Sequence, residues 1–104
     1  MTAFDPDRFE DKYEHYFTEL QQAYKQAFEV MSGRHDSELI HAIDQQILAE
    51  SEPFYAGDGE FRIELPDDAA DRLVDQDRDR LESVLVAYKS ELDTQLQSVF
   101  ELDS

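Results

Sequence analysis

The sequence predicts an α+β fold, predominantly helical, with the element order α-α-β-β-α. Three observations carry that prediction. Long stretches near both ends repeat their apolar residues at helical spacing, and a shorter helical stretch follows the first. Between them lies a run of period two, preceded by Gly57, Asp58 and Gly59. Residues 1–104 are read as one domain.

The first helix is expected over residues 6–32. Asp5 suits the N-cap, Pro6 suits the first helical position, and Phe4 is placed to staple back toward Phe9. Phe9, Tyr13, Tyr16, Phe17, Leu20, Tyr24, Ala27, Phe28 and Met31 fall within an arc of about 120° at 100° per residue. Gly33 supplies the expected stop.

A second helix is expected over 37–50, capped by Asp36 or Ser37 and buried through Leu39, Ile40, Ile43 and Ile47. It ends at Glu52, because a residue before proline is pushed out of the helical region. Phe61, Ile63 and Leu65 then alternate with Glu60, Arg62 and Glu64, which predicts a β-hairpin over 54–65 with one face toward the helices.

The last helix is expected over 68–101, opened by Asp67 or Asp68. Its broad apolar face runs from Ala70 and Val74 through Leu81, Leu85, Tyr88 and Leu92 to Val99 and Phe100. A continuous helix of that length would measure about 51 Å. A compact chain of this size has a radius of gyration of about 13 Å and cannot enclose such a rod. Either the helix breaks within 75–80, or it protrudes and pairs with a second copy. Helices 1 and 3 are expected side by side with the hairpin capping them, and Tyr16, Phe17, Leu20, Ile43, Phe61, Leu85 and Leu92 are expected to be buried.

The charge is the dominant compositional feature: 26 acidic residues against 9 basic ones, a net charge of −17. Self-repulsion of this size can keep a chain disordered, but the aromatic content of 12% and the apolar periodicity argue for folding. The acids are spread along the chain, as in a protein adapted to molar salt, where the Debye length falls to about 3 Å. On that reading the acidity answers the solvent, and cooperative folding is expected to weaken when KCl is lowered. There is no Cys, which excludes disulfides, thiolate metal sites and a cysteine nucleophile. No apolar run is long enough to span a bilayer, and the opening residues are unlike a secretory leader, so the cytoplasm is the expected compartment.

The chemistry-bearing patterns are sparse. Glu38 and His41 have the Glu-x-x-His spacing of carboxylate-bridged metal helices, but they lie off the apolar face through which such ligands must project. Asp75, Asp77 and Asp79 alternate like the start of a calcium loop, yet Arg80 stands where its glycine belongs and Val86 where its glutamate belongs. Asp77 also falls among the apolar positions of the last helix, which reads either as a helix break or as a partly buried acid at a dimer seam. No serine sits in a nucleophile elbow, and the three glycines are used by the helix stop and the turn. No catalytic residue, metal ligand or cofactor is expected.

Helix, helix, hairpin and long helix also suit a winged-helix regulator, which makes DNA association the alternative function. Against it, residues 37–50 contain no Lys or Arg, and the hairpin carries only Arg62 between Glu60 and Glu64. DNA affinity rests on neutralising phosphates. A protein-interaction or homodimeric assembly module is therefore the expected function, with the chain itself or another protein as partner.

The segments Phe4 to Pro6, Phe9 to Glu14, His41 to Gln46, Pro53 to Tyr55 and Gly57 to Pro66 resemble a haloarchaeal family of small acidic proteins of unknown function. The resemblance covers about the first two-thirds of the chain. It implies a salt-loving source, in agreement with the charge, and brings no activity or cofactor. The candidate interaction surface is His41, Asp44, Gln45 and Arg62, polar side chains that packing does not need.

Overall fold

The structure, a computed structural model, describes residues 5–73 and 77–102. The expected order α-α-β-β-α is observed. In detail the chain forms α1 (Pro6–Phe9), α2 (Lys12–His15), α3 (Phe17–Arg34), α4 (Ser37–Gln46), β1 (Glu52–Gly57), β2 (Glu60–Glu64) and α5 (Arg78–Val99). Two 3₁₀ turns, Leu48–Glu50 and Ala69–Leu73, precede the hairpin and α5.

The first long helical run is divided where one helix over 6–32 was expected. Asp5 caps α1 as predicted, its Oδ1 accepting the Asp7 amide at 2.9 Å. Asp11 (φ −107°, ψ 42°) and Tyr16 (φ −128°, ψ 24°) then leave helical geometry. The nine residues from Phe9 to Phe17 contain an aspartate and four aromatics, all modest helix formers, and tertiary contacts outweigh them. Tyr16 Oη accepts the Asp5 amide at 2.9 Å, which ties the cap of α1 to the end of α2. Gly33 sits inside the last turn of α3, and the helix ends at His35 in extended backbone (φ −133°, ψ 178°). The predicted Phe4 staple lies outside the described residues.

The last helix starts at Arg78, about ten residues later than the expected 68. Asp77 is its N-cap: Oδ1 accepts the amides of Asp79 at 3.0 Å and Arg80 at 3.3 Å. Asp77 is exposed in the single chain. The expected break within 75–80 thus resolves at Asp77, and Val74, Asp75 and Gln76 lie outside the described residues. The 22 residues of α5 span about 33 Å, within a molecule measuring 44 × 26 × 22 Å.

α3 and α5 pack side by side, α4 covers α3, and β2 lies on α5. In the antiparallel hairpin Pro53 pairs with Ile63 and Tyr55 with Phe61, placing Phe61 and Ile63 in the core. The turn uses positive φ at Gly57 (96°), Asp58 (54°) and Gly59 (78°), and Tyr55 Oη accepts the Gly59 amide at 2.9 Å. A two-stranded ribbon needs support, and α5 supplies it: Asp93 Oδ1 accepts the Phe61 amide at 2.7 Å.

An aromatic junction ties the ends of the chain to the hairpin. Phe9 lies 5.3 Å from Phe61 and 5.9 Å from Phe100, Tyr16 lies 5.0 Å from Phe100, and Phe61 lies 5.8 Å from Phe100, ring centre to ring centre. Six of the seven residues expected to be buried are buried. Phe17 is the exception, at 51% exposure. The buried face of α3 is Leu20, Ala23, Ala27 and Met31. At 100° per residue, Phe17, Tyr24 and Phe28 fall about 55–95° to one side of its centre. Centring the helix on its aromatics therefore misplaces the face by a substantial part of a turn.

Candidate docking groove

Two of the displaced aromatics, Phe17 and Tyr24, line an open groove. Tyr13 on α2 and Phe17, Leu20 and Tyr24 on α3 face Leu48 and Ala49 of the 3₁₀ turn and Pro53 of β1 across a cavity of about 420 Å³. Of its lining residues Leu20 and Leu48 are buried. Tyr13 at 57% and Phe17 at 51% exposure stand along its edge. The two walls are joined by hydroxyls: Ser51 Oγ donates to the Leu48 carbonyl at 2.7 Å and meets Tyr24 Oη at 2.9 Å. Burial pushes the Tyr24 hydroxyl up to about 12, so it stays neutral through the physiological range. The groove is thus an apolar cleft with one fixed polar link across it.

At the Tyr13 end a lysine holds α2 to β1. Lys12 is only 3% exposed. Its ammonium lies 4.9 Å from the Phe54 ring centre and 5.3 Å from those of Phe9 and Tyr13, and it pairs with Glu52 Oε2 at 2.8 Å. Rings on several sides and one carboxylate offset the cost of burying the charge. A second cavity of about 450 Å³ adjoins Lys12, lined also by Asp7, Phe9, Glu10, Glu52 and Phe54. Burial, and then the Glu52 charge, raises the Tyr13 hydroxyl above its usual range.

The candidate surface residues read from sequence come from two elements. His41, Asp44 and Gln45 share α4, with His41 edge-on to Phe28 at 6.3 Å between ring centres. Burial raises the Asp44 carboxyl, and nearby His41 opposes the rise. Arg62 is on β2, where it pairs with Glu64 at 3.0 Å and covers the Phe54 ring at 5.4 Å. Among the described residues no hydrogen bond, ion pair or ring contact joins Arg62 to the α4 group. His41 also borders a shallow cleft with Phe28, Ser32, Ser37 and Glu38. Among the described residues no three His, Asp or Glu side chains gather as a metal site would need.

Sequence reasoning passed over Lys12 and read Tyr13 and Phe17 as core. Helical spacing would set Lys12 beside Phe9, three residues before it, but the chain leaves helical geometry at Asp11, between the two. The carboxylate partner of Lys12 comes from forty residues away and has no local signal.

The family of unknown function DUF5783 matches residues 1–103, and the chain belongs to that family. No curated protein and no solved structure matches the chain.

Proposed function

We propose that this member of the family is a non-catalytic protein-interaction module of a high-salt cytoplasm, and that it receives its partner in the Tyr13–Phe17 groove. The observation that carries the reading is the half-exposure of two neighbouring aromatics beside an apolar cleft, in a chain whose other described Phe and Tyr rings are at least partly packed away. Large apolar side chains held in water along a cleft cost solubility and gain it back when a partner covers them. Of the 9 basic residues, Lys12, Arg34, Arg62, Arg72, Arg78 and Arg80 each lie within 4.0 Å of a carboxylate. Cations held in this way are poor phosphate ligands, which supports a protein partner over the winged-helix alternative.

The high-salt half of the proposal rests on the net charge of −17. Cooperative unfolding is expected in molar KCl and is expected to be lost or broadened at about 0.1 M, where the Debye length reaches about 10 Å. A stability that does not change over that range would contradict it. The interaction half is tested by placing a photoreactive phenylalanine analogue at position 17 or at exposed position 86, then irradiating in host lysate at molar KCl. A discrete adduct formed from position 17 and not from position 86 is the expected result. Equal adducts from both positions, or none from 17, would overturn the reading.

A further inference from the structure

We propose that the cavity beside Lys12 is a binding site for a small amino acid zwitterion, whose carboxylate bonds to Lys12 and whose ammonium faces Asp7 and Glu10. The proposal does not rest on the groove reading, since the two cavities share no lining residue. At about 450 Å³ this cavity falls in the range of small-molecule sites, about 300–1,000 Å³.

The buried lysine sets the first anchor. Lys12 is 3% exposed, and three of the groups around its ammonium, Glu52, Phe54 and Phe9, also line the cavity. The ammonium therefore sits at the cavity wall. It carries three N–H donors. Among the described residues its one hydrogen bond goes to Glu52 Oε2 at 2.8 Å. Ring faces attract the charge but take up a hydrogen bond only weakly. Buried donors without an acceptor are costly, so the remaining N–H groups call for an oxygen from outside the chain.

The carboxylates decide what kind of oxygen donor fits. Asp7 and Glu10 line the same cavity, are exposed, and form no ion pair among the described residues. A plain anion would meet these two acids and Glu52 around a single ammonium. A plain cation would be held by the acids but would leave the donors of Lys12 unmet. A ligand with both charges answers both, and the rings of Phe9 and Phe54 offer its body an apolar wall. Molar salt screens exposed charges most and a buried one least, so the carboxylate is the stronger anchor of the two.

Ligand-detected NMR titrations of the full chain in molar KCl compare L-phenylalanine with hydrocinnamate and phenethylamine, which lack its ammonium and its carboxylate respectively. Phenylalanine is expected to bind most tightly. Loss of the carboxylate forfeits a bond to a buried charge and should weaken binding about tenfold or more. Loss of the ammonium forfeits an exposed pair and should weaken it about two- to fivefold. Lys12→Met should weaken phenylalanine and hydrocinnamate about tenfold or more and leave phenethylamine no weaker, a pattern that general loosening of the fold would not give. Asp7→Asn with Glu10→Gln should make phenylalanine and hydrocinnamate equivalent. Phenethylamine binding as tightly as phenylalanine would reduce the site to an acidic patch, and hydrocinnamate binding more tightly would make it a plain anion site. Either result overturns the inference, as does binding that Lys12→Met leaves intact or a native chain that takes up no phenylalanine.

Discussion

Phe9 and Tyr16 close the core, while Tyr13 and Phe17, interleaved with them in the same nine residues, stand half in water. The two pairs have the same chemistry and nearly the same local sequence. Their fates differ because the chain leaves helical geometry at Asp11 and again at Tyr16, and because α3 buries its alanines in preference to its rings. Phe9 and Tyr16 are drawn toward Phe61 and Phe100 at ring distances of 5.0–5.9 Å. Tyr13 and Phe17 are left beside the groove. Aromatic identity says that burial would be favourable. The helical phase and the side from which neighbours approach decide which rings receive it.

The largest expected effect contrasts the two regions directly. Phe61→Ala and Phe100→Ala should each cost about 3–5 kcal/mol in denaturant unfolding at molar KCl, through lost burial and the cavity left behind. Phe17→Ala should change stability by no more than about 0.5 kcal/mol, as an exposed side chain does. Comparable losses at Phe17 and Phe61 would erase the distinction.

The groove carries its own pH signature. Tyr24 moves from an ordinary 10.0 to about 12 because burial disfavours its charged form. The unfolded chain releases that proton near pH 10 while the folded chain still holds it. The contribution is therefore present in full below pH 10 and is lost as pH rises toward 12, amounting to about 2–3 kcal/mol. Tyr24→Phe should flatten that part of the alkaline unfolding curve.

At the joint between the two regions, Glu52→Gln should cost about 1–3 kcal/mol, because it leaves the Lys12 ammonium enclosed without its carboxylate. Lys12→Met keeps the volume, removes the charge and should stay within about 1 kcal/mol of the native stability. The ranking of these two variants in urea reads out the ion pair without relying on either absolute value. The smallest effect is at Gly33, which lies within α3 with nothing within 4 Å of an added Cβ. Gly33→Ala should raise stability by about 0.5–1 kcal/mol. A loss there would mean that α3 stops at Gly33.

Much of the architecture is legible in the residues. Asp5 with Pro6, Asp36 before α4, and the alternation of Phe61 and Ile63 after Gly57, Asp58 and Gly59 are local signals, and local structure follows them. The start of α5 is less legible because apolar spacing runs on across Asp77, while the capping bonds of that residue depend on backbone geometry that spacing does not report. The groove is the least legible feature. Ala23 and Ala27 are fully buried and Phe17 is not, an inversion of what side-chain size suggests and a consequence of how α4 and α5 approach. Lys12 illustrates the same limit, since the ring of Phe54 and the carboxylate of Glu52 reach it only through the fold.

The central claim is that Phe17 belongs to a docking face and Phe61 to the core, and fluorine NMR of 4-fluorophenylalanine-labelled protein tests it most directly. The resonance of residue 17 should show a full solvent-isotope shift on exchange from H₂O to D₂O, while residue 61 shows none. A resonance at 17 that is shielded from solvent in the free protein would contradict the account.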